Sequence, residues 1–147
     1  MKDVKLQIYT ADMSTVLELP FADGGVKAGF PSPAQDYLTE AIDLNKYIVR
    51  HKESTFYARV SGDSMRDAGI CDGDIVVVDK SLDVSDGDFV VASVDGEFTI
   101  KQFKLDKSGE SGWLVPFNSD YSPIRVSADN DFLIWGVVTF SIKKLHR

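Results

Sequence analysis

The clearest local indication of the fold is the segment FVVASVDGEFTIKQF, residues 89–103. β-Branched and aromatic residues fill both halves of it, and only Asp95 and Gly96 separate the halves. A two-residue Asp-Gly turn between β-forming runs is typical of a hairpin with a type I′ turn, which needs positive φ at both turn positions. The stretch therefore predicts two antiparallel strands, residues 89–94 and 97–103.

Similar short runs continue from this hairpin in both directions along the chain. They are rich in β-branched and aromatic residues, are separated by turn residues, and cover residues 55–60, 75–79, 113–116, 124–126 and 132–142. Many short strands with regular turn signals are typical of an all-β or mostly-β domain. The sequence therefore predicts a mostly-β fold from about residue 55 onward.

The region before this domain has a different character. The first 30 or so residues lack sustained periodicity and contain a glycine-bearing segment, which favours an extended, mobile arm. Pro31 and Pro33 then interrupt any regular element, so we expect an arm at residues 1–29 and a β-rich domain at 30–147. The pattern AQDYLTEAI at residues 34–42 permits a short helix, and residues 43–47 permit one further turn.

Composition limits the class of protein. A chain of 147 residues with 44% hydrophobic and 27% charged residues can form one globular core. The sequence has no apolar run of about 18 residues and no secretory signal, and its single Cys71 cannot form an internal disulfide, so we expect a cytoplasmic protein. A net charge of −7 argues against direct nucleic-acid binding, because lysine and arginine supply most of such affinity.

Several kinds of site find no support in the sequence. His51 and His146 with one cysteine form no recognisable zinc set, so we expect no metal. An acid-rich stretch that begins at Asp79 resembles a calcium loop, but Val84 and Val90 stand where that loop requires glycine and glutamate. No glycine-rich phosphate-binding motif occurs, and we expect no cofactor.

The remaining candidate for chemistry is Ser64, in the turn Ser61-Gly62-Asp63-Ser64-Met65 directly after a predicted strand. A turn of small residues at a strand end can present a hydroxyl outside the sheet, with backbone N–H groups near a developing oxyanion. Ser61 and Ser64 also fit ordinary turn or capping serines. Catalysis by this serine therefore requires a second group that activates it.

Lys101 is the candidate for that second group, because it lies within a predicted hairpin strand. Alternation along the strand places Thr99, Lys101 and Phe103 on one face. If that face is partly buried, the pKa of the lysine falls and its neutral amine becomes a possible base. A solvated lysine on an edge strand is the alternative, and periodicity does not decide between the two.

Taken together, several ordered motifs resemble the LexA/UmuD family of self-cleaving proteins of the bacterial DNA-damage response. The similarity includes the serine segment, the hairpin with its lysine and the region of the family's cleavage site, at residues 62–65, 69–70, 72–74, 79, 95–101, 116, 118, 121–124, 136–138, 28–34 and 42–45. The resemblance implies a β-rich serine peptidase that works with a Ser/Lys pair and without histidine.

The resemblance also implies roles for individual residues. Ser64 would attack the carbonyl of Ala28 and break the Ala28-Gly29 bond, while Lys101 takes and later returns the proton. Backbone amides near Ser64, in the segment that contains Asp63 and Met65, would hold the oxyanion. Met65 fits a place beside the cleft or in the core equally well. Cleavage would be stimulated by the RecA filament on single-stranded DNA, and the trimmed homodimer would join a Y-family, UmuC-like DNA polymerase in lesion bypass.

The length before the expected cut separates the branches of the family. Only 28 residues precede it, whereas a winged helix-turn-helix needs roughly 65, so the UmuD branch fits better than a LexA repressor. Bacterial signal peptidases also use a Ser/Lys pair but require membrane anchorage.

Two further alternatives stay open: a dimeric adaptor for a polymerase without catalysis, and a peptidase that acts on other proteins. Ala28 replaces a cysteine that some family members carry before the cut, and the first 20 or so residues match the family poorly.

Overall fold

Antiparallel strand pairing dominates the structure. The computed structural model describes residues 5–14, 16, 18–22, 38–127 and 131–146. The strands in chain order are β1 (Lys5–Thr10), β2 (Glu18–Ala22), β3 (Leu38–Asp43), β4 (Thr55–Ser61), β5 (Ile75–Asp79), β6 (Phe89–Val94), β7 (Glu97–Leu105), β8 (Gly112–Val115), β9 (Ile124–Val126) and β10 (Phe132–Ile142). The described residues also form one short helix, α1 (Leu44–Ile48), and two 3₁₀ turns, Lys52–Ser54 and Arg66–Ala68. The prediction of a mostly-β fold is confirmed.

The chain divides into two compact units. The first comprises the described residues of Met1–Ala11 and His51–Arg147, and the second comprises those of Asp12–Arg50. The predicted arm contains β1 and β2 within its described residues, and neither strand was expected from the sequence pattern. The division into an arm at 1–29 and a domain at 30–147 stays a prediction.

The second unit corrects one expectation. The helix predicted for residues 34–42 is wrong over 38–42, where β3 pairs with β2 in an antiparallel register that sets Leu19 opposite Ile42. Residues 34–37 lie outside the described residues. A short apolar pattern fits both the helical and the strand period, and pairing with a neighbouring strand decides between them. The turn predicted for 43–47 is confirmed as α1, whose cap is the side chain of Asp43 accepting from the N–H of Asn45 at 3.1 Å.

The first unit is an eight-stranded antiparallel sheet in the order β1-β4-β5-β10-β6-β7-β8-β9. The seven strands predicted between residues 55 and 142 are all present. Asp95 and Gly96 have φ values of 50° and 86°, which confirms the predicted turn with positive φ at both positions. The hairpin places β7 between β6 and β8, so β7 is an interior strand of the sheet.

Long strand β10 joins the two halves of the sheet by pairing with β5 on one side and β6 on the other. Its register shifts between Ile134 and Gly136 against β6, which marks a bulge. A Cβ atom at Gly136 would lie 2.7 Å from Val78 Cγ1 and 3.0 Å from the carbonyl oxygen of Asp79. Glycine is therefore required here for the close approach of β10 to β5.

Two hydrophobic clusters pack on the sheet. The first includes Val91 and Ile100, and the second includes Val90 and Ala92. Because neighbouring residues of a strand point to opposite faces, the two clusters lie on opposite faces of β6. Both faces of the sheet are therefore covered along the middle of β6 and β7, where residues 90–92 and 99–101 are buried.

Candidate active site

Ser64 lies in a turn that begins where β4 ends. Gly62 has a φ of 104°, a conformation that favours glycine, and its N–H donates to Asp72 Oδ1 at 2.9 Å. The chain then enters the 3₁₀ turn Arg66–Ala68 and ends it at Gly69, whose φ is 80°. The hydroxyl of Ser64 is 0% exposed, so it lies inside the protein rather than on a solvated turn.

Lys101 lies in the middle of β7, directly opposite Val90 of β6. Its side chain is only 1% exposed, and Thr99 on the same face of the strand is 4% exposed. The alternative of a solvated lysine on an edge strand is therefore wrong. A buried lysine side chain needs polar partners, because an amine left without hydrogen bonds in the core is strongly destabilising.

The partners of Lys101 include the candidate nucleophile. Lys101 Nζ lies 3.1 Å from Ser64 Oγ, 2.6 Å from Thr99 Oγ1 and 3.2 Å from the carbonyl oxygen of Ile100. These three acceptors are uncharged oxygens. We call Ser64, Thr99 and Lys101 the dyad cluster. The hydroxyl and the amine are within the reach that proton transfer between them requires.

A loop 55 residues further along the chain holds the serine turn in place. The N–H of Phe117 donates to the carbonyl of Ser64 at 2.8 Å, and Asn118 Nδ2 donates to the carbonyl of Asp63 at 2.9 Å. The hydroxyl of Tyr121 donates to Asp63 Oδ1 at 2.6 Å. Because the peptide group is planar, an anchored Asp63 carbonyl also sets the direction of the Ser64 N–H, which points the opposite way.

The residues beside Ser64 occupy different environments. Asp63 has an exposed side chain, which is bonded to Tyr121, whereas Met65 is 0% exposed and packs in the first hydrophobic cluster. Of its two open interpretations, Met65 therefore takes the place in the core. Within the described residues, the N–H groups of Ser64 and Met65 donate no hydrogen bond.

The sequence analysis assigned no role to two contributors to this arrangement, Thr99 and Asn118, although both lie within the motifs that resemble the family. Thr99 was placed on the face of Lys101 without a role, although its spacing of two residues along one strand is a usable signal. Asn118 carries no local signal, because its contact with Asp63 spans 55 positions and depends on the folded sheet. The proposed cleavage-site residues Ala28 and Gly29 lie outside the described residues.

Other sites are not apparent in the part of the chain that the structure covers. None of its clusters of histidine, cysteine, aspartate and glutamate suits a metal ion. No described helix is long and apolar enough to cross a membrane. A cavity of about 300 Å³ is lined by residues such as Phe103, Leu105 and Phe132, and neither Ser64 nor Lys101 belongs to it.

A second polar cluster surrounds Asp79 at the end of β5. Asp79 Oδ1 accepts from the hydroxyl and the N–H of Ser81 at 2.6 and 2.8 Å, and Asp79 Oδ2 lies 2.6 Å from His51 Nδ1. Burial by itself would raise the pKa of Asp79, but the hydrogen bonds from Ser81 and His51 outweigh it and hold the pKa below its ordinary value. We call these three residues the Asp79 cluster. Its carboxylate lies between the histidine and the serine, so it lacks the order of a serine-protease triad.

Comparison with known proteins agrees with this geometry. Residues 20–139 match the family described as Peptidase S24-like. The chain is 43% identical to the protein MucA of Salmonella typhimurium over 141 residues, which are 95% of this chain and 94% of MucA. It is 42% identical to ImpA of Shigella flexneri over 124 residues, 84% of this chain and 82% of ImpA. It is 44% identical to the LexA repressor of Acidithiobacillus ferrooxidans over 118 residues, 78% of this chain and 56% of the repressor. The chain therefore belongs to the S24-like peptidase family, which confirms the resemblance to the LexA/UmuD proteins indicated by its motifs.

Proposed function

We propose that this protein is a self-cleaving serine peptidase of the UmuD type, with Ser64 as nucleophile, Lys101 as general base and Ala28-Gly29 as the bond that it hydrolyses. One observation carries the proposal: Lys101 Nζ lies 3.1 Å from Ser64 Oγ while both side chains are buried. A serine next to a buried amine has the nucleophile and base that covalent catalysis requires.

The burial of Lys101 supports its assignment as the base. An ammonium group loses hydration when it is buried, which disfavours its charged form. The polar atoms near its Nζ include Ser64 Oγ, Thr99 Oγ1 and the carbonyl oxygen of Ile100. Thr99 orients the amine toward Ser64, so we assign it a positioning role. Raising the pH deprotonates the remaining lysine ammonium and speeds the reaction.

The reaction proceeds in two balanced stages. Ser64 Oγ attacks the carbonyl carbon of Ala28 as its proton passes to Lys101 Nζ, and the bond to Gly29 then breaks as Lys101 returns the proton to the leaving amine. A water molecule then attacks the ester carbonyl as Lys101 Nζ takes its proton, and Lys101 returns that proton to Ser64 Oγ as the ester bond breaks. The N–H groups of Ser64 and Met65 stabilise the oxyanion in both stages.

Because the arm is tethered to the protein that cuts it, its effective concentration is high and a specialised substrate pocket is not needed. By the resemblance to UmuD, we further propose that a RecA filament stimulates cleavage. The trimmed homodimer then serves a Y-family polymerase as an accessory subunit in the SOS response. The similarity to MucA over 94% of that protein's length supports a UmuD-type protein, from which this wider role is inferred.

Intact-mass measurement tests the chemistry. Purified protein held near pH 10 should lose residues 1–28, whereas Ser64→Ala and Lys101→Ala should both stay whole. Ser61→Ala and Lys107→Ala serve as matched controls, because both side chains are exposed, and they should be cut at the parent rate. Cleavage of either dyad variant at Ala28-Gly29 would rule out the assignment.

A second experiment tests the regulation at neutral pH. RecA, single-stranded DNA and a nucleotide that maintains the filament should together increase cleavage of the parent, and omission of the DNA should abolish the increase. Equal rates with and without the filament would exclude the RecA part of the proposal and leave the alkaline reaction unaffected.

A further inference from the structure

One edge of the main sheet is covered by a strand that lies before the proposed cut. β1 pairs with β4 over six residue pairs, from Lys5 opposite Ser61 to Thr10 opposite Phe56. Leu6 packs against the first hydrophobic cluster, while Ile8 is 42% exposed. β1 therefore contributes backbone pairing and one partly buried side chain to a fold whose remaining strands all follow residue 50.

The backbone groups that β1 covers follow from the pairing on the other side of β4. The N–H of Val60 donates to the carbonyl of Asp74, and the carbonyl of Val60 accepts from Gly73, each at 2.8 Å. Because successive residues of a strand direct their backbone groups to opposite sides, Tyr57, Arg59 and Ser61 direct theirs toward β1. Removal of β1 would leave these groups as an open sheet edge, which is a template for another strand.

The proposed cleavage changes how β1 is held. In the intact chain β1 is tethered, so its effective concentration at β4 is high. After hydrolysis of Ala28-Gly29 it belongs to a separate peptide, which is held without a covalent tether by the short pairings of β1 with β4 and of β2 with β3. The edge of β4 then becomes accessible to competing strands.

The side chains of β1 complement this edge only in part. Gln7 lies opposite Arg59, an exposed residue whose guanidinium donates to the carbonyl of Gly73 at 3.3 Å. No ion pair to Arg59 occurs among the residues that the structure describes. Apolar residues lie on either side of Gln7, since Leu6 is opposite Val60 and Ile8 opposite Ala58. A strand with an acidic residue between two apolar ones would retain the packing and add a cross-strand ion pair.

We propose that the β4 edge is a docking site for an extended strand of a partner protein, opened by removal of β1, and that this strand presents an acidic side chain to Arg59 between two apolar side chains. The proposal rests on the proposed self-cleavage for its trigger, and on the pairing and charge of β4 for its specificity. This mode of binding is β-strand addition, in which backbone bonds supply affinity and alternate side chains supply selectivity.

Amide exchange on a protein cut by other means tests whether the edge opens. A recognition sequence for a site-specific protease is inserted between Ala28 and Gly29 of the Ser64→Ala chain, and the folded protein is cut and freed of the fragment by size-exclusion chromatography. The amides of Tyr57 and Arg59 should then exchange about tenfold faster or more than in uncut protein. The amides of Ala58 and Val60, which face β5, should keep their rates as internal controls. Unchanged rates at Tyr57 and Arg59, or a fragment that stays bound at micromolar dilution, would overturn the proposal.

Peptide binding to the same cut protein tests the specificity. Fluorescent peptides of residues 3–12 are compared, one with the natural Gln7 and one with Gln7→Glu. The Glu peptide should bind about two- to fivefold more tightly, as expected for one exposed cross-strand ion pair. Arg59→Glu in the protein should reverse the order, and uncut protein should bind neither peptide. Equal affinity of the two peptides, or equal binding to cut and uncut protein, contradicts the docking site.

These outcomes are separate from those of the self-cleavage experiment, because an added protease cuts a chain that lacks Ser64. Failure of the parent to cleave near pH 10 counts against the proposed peptidase alone. Failure of the exchange and peptide experiments counts against the docking edge alone.

Discussion

The dyad cluster and the Asp79 cluster contain similar groups in different arrangements. Each joins a serine hydroxyl to a basic side chain within the first unit. In the dyad cluster the base itself approaches the hydroxyl, with Lys101 Nζ 3.1 Å from Ser64 Oγ. In the Asp79 cluster the hydroxyl of Ser81 donates to a carboxylate, and that carboxylate also contacts the histidine.

This difference predicts catalysis in the dyad cluster and stabilisation in the Asp79 cluster. A neutral amine is a much stronger base than a carboxylate whose pKa is lowered, so the amine is the better group to take a proton from a serine hydroxyl. We therefore expect changes in the dyad cluster to affect cleavage more than stability, and changes in the Asp79 cluster to affect stability more than cleavage. The following predictions test that separation, beginning with the largest effect.

Replacing the lysine with an apolar side chain should have the largest effect on cleavage. Lys101→Met should reduce the rate near pH 10 by about 10²- to 10⁴-fold, the usual contribution of a general base. The free energy of unfolding should change by less than about 2 kcal/mol, because an apolar side chain of similar length often replaces a buried ionisable group with little loss. Intact mass and urea unfolding measure the two quantities, with Lys107→Met as the exposed control. A loss of stability large enough to unfold the protein would contradict the separation.

Removing the central carboxylate should have the next largest effect, on stability. Asp79→Asn should lower the free energy of unfolding by about 1–3 kcal/mol, because a neutral amide replaces a buried carboxylate that accepts three hydrogen bonds. The cleavage rate of the folded protein should stay within about twofold of the parent, since the change lies outside the dyad cluster. Urea unfolding with the exposed Asp83→Asn as control provides the measurement. A large fall in the cleavage rate of folded Asp79→Asn would show that the two clusters are coupled.

The positioning role of Thr99 predicts a smaller change in rate. Thr99→Val removes the acceptor 2.6 Å from Lys101 Nζ and should slow cleavage about tenfold, equal to about 1.4 kcal/mol in the barrier. Thr99→Ser keeps the hydroxyl and should restore most of the rate. Thr139→Val provides a control, because Thr139 bonds to the carbonyl of Val77 instead of the dyad cluster. If Thr99→Ser is as slow as Thr99→Val, the hydroxyl does not position the amine.

The smallest predicted effect is the pH dependence of stability in the Asp79 cluster. The pKa of Asp79 in the folded state lies below its ordinary value. As the pH falls through the ordinary value, the unfolded state therefore binds more protons than the folded state. The contribution of the Asp79 carboxylate to the free energy of unfolding is therefore fully present above about pH 4, and it is lost as the pH falls through the pKa of the folded state. Ser81→Ala removes one of the bonds that lower this pKa, so its stability should approach that of the parent on acidification. Urea unfolding between about pH 6 and pH 3 tests this, and a constant difference would exclude Asp79 as the titrating group.

Much of the sheet could be predicted because its signals are local. The β6–β7 hairpin follows from Asp95-Gly96, whose positive φ angles suit those residues, and the other strand runs from 55 to 142 follow from short β-forming segments between turns. The region before residue 50 was predicted less well. Residues 38–42 form a strand instead of a helix, because a short apolar pattern adopts the structure that a neighbouring strand imposes.

The candidate site divides in the same way. The sequence alone identified the available residue types: the serines of a small-residue turn, Lys101 on a strand face with Thr99, and only two histidines, too few for another mechanism. The folded structure was needed to show that Lys101 is buried rather than solvated and that it meets a serine 37 positions away. It was also needed to show that Asn118 bonds to Asp63 in the turn of that serine. The physical reason is that alternation assigns a residue to a face of its strand, whereas burial and long-range contact depend on which strands pack against that face.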